Sequence, residues 1–209
     1  MIYKLTRREL LKYGVKAGIL AFGVPTLLKL MEQNAYATTY FGCNSIGTQL
    51  GGGYTTGNNV STNVYTCPGS GSQTIDALEA YVYNLTGMSI RLAVYNTSGN
   101  LICSGTSAVT PTLTTGGWYG HNTAGLTGTT TLTGGTAYQL VLSTNSAGYI
   151  YWNTSGPACV CNFTDYYTSG FPGSLTLSTN FGGEVSIRCG VSAVGGGGGG
   201  TTIKHRVIR

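Results

Sequence analysis

Met88, Ile90, Leu92 and Val94 alternate along the chain with Ser89, Arg91, Ala93 and Tyr95. A period of two sorts the two sets to opposite sides of a β-strand. Residues 96–99 are Asn, Thr, Ser and Gly, side chains that bond their own backbone plus a glycine that accepts a positive φ. Leu101 to Cys103 then returns as the second arm of a hairpin. Two strands with one apolar face do not hold in water alone, so other strands must cover them.

The remaining chain from Thr38 onward supplies them as short segments split by Gly, Asn, Ser and Pro. Strands are expected at residues 39–48, 60–67, 74–84, 118–126, 129–132, 137–143, 148–152 and 184–189, with a glycine-rich loop over 49–59. In the third of these, Ile75, Ala77 and Glu79 alternate with Asp76, Leu78, Ala80 and Val82. Residues 137–143 form a continuous apolar run suited to a central strand. Tyr149 and Tyr151 share one strand face and Ile150 and Trp152 the other, one pair for the core and one for the surface. The Thr-rich stretch 106–117 is ambiguous. Outside the first 37 residues no stretch longer than a turn has helical periodicity. The pattern predicts an all-β, antiparallel β-sandwich over residues 38–194.

Composition sharpens this. Only 8% of the 209 residues are charged, while Gly (34) and Tyr (15) are abundant. Ordinary soluble domains carry roughly 25% charged residues. The formal charge of +5 belongs to the two ends. Between Thr38 and Gly200 stand Arg91 and Arg188 against Asp76, Glu79, Asp165 and Glu184, two cations against four anions and a net of −2. With no basic stripe to meet phosphates, nucleic acid is not an expected partner of the body.

Residues 1–37 have a different character. Thr6–Lys12, with the pair Arg7 and Arg8, is followed by an apolar run from Ala17 to Leu28 that Gly18, Gly23 and Pro25 interrupt. Ala35–Ala37 is a small-x-small cleavage site that places the cut after Ala37. The run is too short and broken to span a bilayer of ~30 Å. The segment resembles a twin-arginine signal peptide, matched at each motif position with Leu10 where Phe is commoner. That resemblance implies a cleavable signal helix and recognition by the twin-arginine export machinery. It also implies passage of a folded body across a prokaryotic plasma membrane, to the periplasm, cell surface or medium. The other reading is an amphipathic N-terminal helix of the domain itself.

A second resemblance covers most of residues 39–191. It rests on Phe41–Gly42, Ile46–Gly47, Ala80–Val82, Ile90–Tyr95, Gly99–Leu101, Leu132–Tyr138, Tyr149–Tyr151, Ser169–Pro172 and Val185–Ile187. The succession is similar to a jelly-roll-like β-sandwich module of prokaryotic secreted and surface proteins and phage fibre-like proteins. The resemblance implies a non-catalytic, adhesive or carbohydrate-facing role, and carries over no site residues. The six cysteines and the Tyr-rich insert from Cys159 to Tyr167 depart from it.

Cys43, Cys67, Cys103, Cys159, Cys161 and Cys189 all lie in the body. Outside the plasma membrane such an even set is expected to form disulfides. Strand order suggests Cys43 or Cys67 with Cys189, and Cys103 with Cys159 or Cys161. The alternative is a copper or zinc site from Cys159, Cys161 and His121, but no second closely spaced pair accompanies them. No metal or other cofactor is therefore expected. Catalysis is not expected either: His121 is the one histidine of the body, and no nucleophile elbow, phosphate loop or carboxylate pair stands out.

Aromatic residues are the better lead. Trp118, Tyr119, Tyr166 and Tyr167 fall in loop-like contexts beside glycine, and Asp165 precedes two of them. Flat rings stack on sugars and a carboxylate orients hydroxyls. These five are the candidate ligand site, the other reading being plain core packing. A Gly spacer over 195–200 leads to the basic, β-prone residues 201–209, a frayed tail or a tether for self-association. Two readings follow: an exported glycan-binding or adhesion module, or a structural subunit of a surface layer or filament. A small exported metal-binding protein is a distant third.

Overall fold

The computed structural model describes residues 38–50, 60–83, 87–112, 116–145, 149–154, 159–162, 166–175, 179–181 and 183–194. The leader with Arg7, Arg8 and Ala37, the residue Asp165 and the basic tail lie outside them. The chain divides into two compact units between Ala37 and Thr38, and the described residues all belong to the second.

Among the described residues, two antiparallel sheets enclose one core, as the alternating pattern predicts. The larger is built on β4 (Ser72–Tyr83). One edge of β4 pairs with β15 (Ile187–Ala193) and then β11 (Tyr149–Asn153); the other pairs with β9 (Thr131–Thr133) and then β7 (Gly117–Asn122). β1 (Thr39–Gly42) lies outside β15, while β2 (Gln49–Leu50) and β14 (Glu184–Val185) pair with β11. The smaller sheet has the order β13 (Thr179–Phe181), β12 (Cys159–Asn162), β3 (Val60–Thr66), β10 (Ala137–Thr144), β5 (Ile90–Asn96), β6 (Leu101–Gly105) and β8 (Leu126–Gly128). Met88, Ile90, Leu92 and Val94 face Leu78, Ala80, Val82, Ile150 and Ile187 in the shared core. The run in β10 is central, paired with β3 and β5.

Two features depart from the alternating pattern. A bulge in β4, with Asp76 the extra residue opposite Gly190 and Val191 of β15, shifts the register there. It places Ile75 on the same buried side as Leu78, Ala80 and Val82, and leaves Asp76 and Ala77 together on the outer side. A bulge of this kind re-aims side chains. The second departure is the far side of the central hairpin. Ala93, Tyr95 and Val141 face away from the core, yet they are buried under Leu101, Tyr166, Phe171 and Leu175. Residues 166–175 are laid over that face by Leu101 N–H to Gly173 O (2.9 Å), Leu175 N–H to Gly99 O (2.7 Å) and the Tyr95 hydroxyl to Pro172 O (2.8 Å). A single helical turn, α1 (Tyr166–Ser169), begins this cover.

The cysteines differ from expectation. Cys43, Cys67, Cys103 and Cys189 are buried free thiols. Cys67, Cys103 and Cys189 line the shared core, where they behave as small apolar side chains. Pairing Cys103 with Cys159 or Cys161 is ruled out by topology. β6 and β12 are four strand spacings apart in one sheet, roughly 19 Å at ~4.8 Å each, whereas a disulfide needs Cα atoms within about 7 Å. The backbone of Cys159 and Cys161 is in β12; their side chains lie outside the described residues.

Candidate functional site

The outer face of the larger sheet gathers aromatic residues from four strands far apart in sequence. Because Leu78, Ala80 and Val82 point into the core, Glu79 and Tyr81 on β4 point outward. By the same alternation Tyr119 on β7 packs inward against the core and Trp118 points out. Tyr40 on β1, Arg188 on β15 and Tyr151 on β11 complete the layer.

Arg188 is its centre. Its Nε–H and Nη2–H both donate to Glu79 Oε2, at 2.8 and 2.7 Å, with both side chains about four-fifths buried. The guanidinium carbon lies 4.2 Å from the Tyr40 ring centroid and 3.9 Å from that of Trp118, well within cation–π range. Glycine makes room for this. A Cβ on Gly190 would meet the Tyr40 ring at 2.9 Å. Tyr81 meets Trp118 edge to face at 5.5 Å, and Tyr151 meets Tyr81 in the same way at 5.1 Å. Burial, and then the neighbouring phenols of Tyr81 and Tyr83, push the Tyr151 hydroxyl above its ordinary range. The result is a half-buried layer of rings around a neutralised ion pair, with phenol groups at its border.

Of the five residues read as one ligand site, Asp165 lies outside the described residues, and the other four do not share a face. Trp118 belongs to the layer just described, and Tyr119 turns into the core. Tyr166 packs on the outer side of the smaller sheet, and Tyr167 lies there beside Arg91, whose guanidinium carbon is 5.4 Å from its ring. The tyrosines of the insert serve mainly as a cover. Tyr40, Tyr81, Arg188 and Glu79 did not stand out in the sequence, and Tyr151 stood out only as one of two same-face pairs, one for the core and one for the surface. The signal available was their position, alternate to core residues, in strands that carry few charges.

His121 does not come together with the Cys159–Cys161 strand. It follows Tyr119 on the core side of β7, with Nε2 3.1 Å from Ser107 O. A Cβ on Gly105 would overlap its ring, and one on Gly125 would come within 2.8 Å. Burial lowers its pKa, opposed by the bond to Ser107. Its neighbour Gly105 ends β6, so the Cys159–Cys161 strand is again several strands away. No group of three or more His, Cys, Asp or Glu able to hold a metal occurs among the described residues.

No family model, curated protein or solved structure matches the chain. The reading of the site rests on its geometry.

Proposed function

We propose that the chain is the precursor of an exported, non-catalytic binding or adhesion module, jelly-roll-like in arrangement. Its contact face is the outer face of the larger sheet, and its ligand a glycan. The observation that carries this is the layer of Tyr40, Tyr81, Trp118 and Tyr151, half-buried together on one face. A large ring left in water forgoes roughly 1.5–3 kcal/mol of burial, so four gathered on one face favour a partner that covers them. Arg188 is neutralised by Glu79, which suits a ligand rich in C–H faces and hydroxyls better than a polyanion. A glycan array probed with the exported protein tests the reading: binding to a defined sugar class supports it, and a blank array contradicts it.

The export half has its own test. Replacing Arg7 and Arg8 together with Lys is expected to leave uncleaved precursor in the cytoplasm. Normal export and processing of the double variant through the twin-arginine route would overturn it.

A second reading, a subunit of a surface layer or filament, is favoured by the open edge of β1. Among the described residues that strand pairs on one side only, and the basic, β-prone segment follows from the neighbouring β15 after the Gly spacer. Self-association that disappears on deleting residues 195–209, seen by size exclusion, would put this reading first.

A further inference from the structure

Asp76 stands where the body begins. The bulge against Gly190 and Val191 turns it to the outer side of β4, where its carboxylate accepts two hydrogen bonds. Thr38 Oγ1 donates to Oδ2 at 2.9 Å and Ser192 Oγ donates to Oδ1 at 3.0 Å. Both donors are neutral. The one ion pair among the described residues is Arg188 with Glu79, so Asp76 has hydroxyl partners and no cation. Other ionisable groups on the packed elements are already placed. Tyr40 on β1 lies on Arg188; Cys189 on β15, and Tyr119 and His121 on β7, are on the core side; β9 carries none.

We propose that removal of the leader supplies the missing cation: the α-ammonium of Thr38, released by the cut after Ala37, pairs with the carboxylate of Asp76. The inference rests on the leader reading. The step is hydrolysis of the Ala37–Thr38 peptide bond. Water adds across it, the carboxylate leaves with the leader, and the Thr38 amine takes up a proton. Covalent geometry keeps that nitrogen within about 3–4 Å of its own Oγ1, which already touches Asp76. Before the cut the same nitrogen is a neutral amide. Processing thus adds a charge-assisted bond at the start of edge strand β1. It holds Tyr40, two residues further on, against Arg188. Maturation and the contact face are coupled through one short strand.

The test uses the exported, processed protein and its Asp76→Asn variant. Intact-mass analysis first establishes the starting residue, and an amine-acylating reagent at pH 7 then labels the Thr38 α-amine. A free α-amino group titrates at about 7.7–8.0, and a neighbouring carboxylate raises that value. Wild type is therefore expected to label about two- to fivefold more slowly than the variant at low salt, the size typical of a solvent-facing pair. The ratio should fall toward one in 1 M salt, where the Debye length is about 3 Å. Equal rates in two proteins that both begin at Thr38 would overturn the latch and leave the leader reading standing. A protein that begins elsewhere would overturn both.

Discussion

Raising the pH from about 9 to about 12 is expected to unfold this protein, with core thiols as the trigger. Cys103 is 1% exposed, and burial pushes its pKa from 9.0 up to about 12, with a smaller opposing effect from a backbone bond to Val94. Burial also raises Cys67 and Cys43, and it raises Cys189, beside Cys103 and Cys67, well above the ordinary range. The sign follows from linkage. A thiol whose folded pKa exceeds its unfolded one holds its proton in the native state where the unfolded chain has released it. Its contribution is complete below pH ~9 and disappears as pH rises through the folded value. At about 1.4 kcal/mol per pKa unit, Cys103 alone accounts for roughly 4 kcal/mol by pH 12, against about 5–15 kcal/mol for a typical domain. Denaturant unfolding at a series of pH values checks this, and Cys103→Val should move the alkaline limit upward. Stability unchanged to pH 12 would show that the thiols are not in the buried state described.

The second large effect concerns Gly120, opposite Glu79 in the β4–β7 pair. A Cβ there would overlap the Leu78 carbonyl oxygen and approach the Glu79 Cα to 2.8 Å. Both are backbone atoms and do not rotate away. Gly120→Ala must therefore lift β7 from β4. Overpacking typically costs about 1–3 kcal/mol, or roughly 3–10 °C in melting temperature for a body of this size. β7 carries Trp118, so its near-ultraviolet dichroism should collapse with the pairing. A variant that melts like wild type and keeps that signal would refute the register.

Much of the fold was legible because burial repeats with the pleat. The hairpin at 88–103 and the run in β10 each carry their face assignment within a few residues. β4 was read in part: Ile75 and Leu78 are three apart, which strict alternation assigns to opposite faces, and only the bulge at Asp76 reveals that both are buried. β12 and β13 went unread within the insert and its flank. Ala93 and Tyr95 gave no sign of a second cover, because apart from Leu101 the residues laid over them, Tyr166, Phe171 and Leu175, come more than seventy positions later. The candidate site was legible at Trp118 and, as one of two same-face pairs on its strand, at Tyr151. Tyr40, Tyr81, Tyr151 and Arg188 meet through long-range pairing of β1, β15, β4, β7 and β11, and no local pattern encodes such a register. Proximity to glycine and to one another in sequence grouped Tyr166 and Tyr167 with Trp118, but proximity in sequence says little about which sheet a segment covers.

The central claim is that one face does the binding, so the direct measurement compares the two faces. Tyr151→Ala and Tyr81→Ala remove rings from the larger sheet's outer layer, and Tyr167→Ala removes one from the cover of the smaller sheet. Titrated against the glycan class bound on the array, the first two are expected to lose about ten- to hundredfold in affinity, the equivalent of burying one large side chain. Tyr167→Ala should bind as wild type. Full affinity in both Tyr81 and Tyr151 variants, or a loss confined to Tyr167→Ala, would contradict the account.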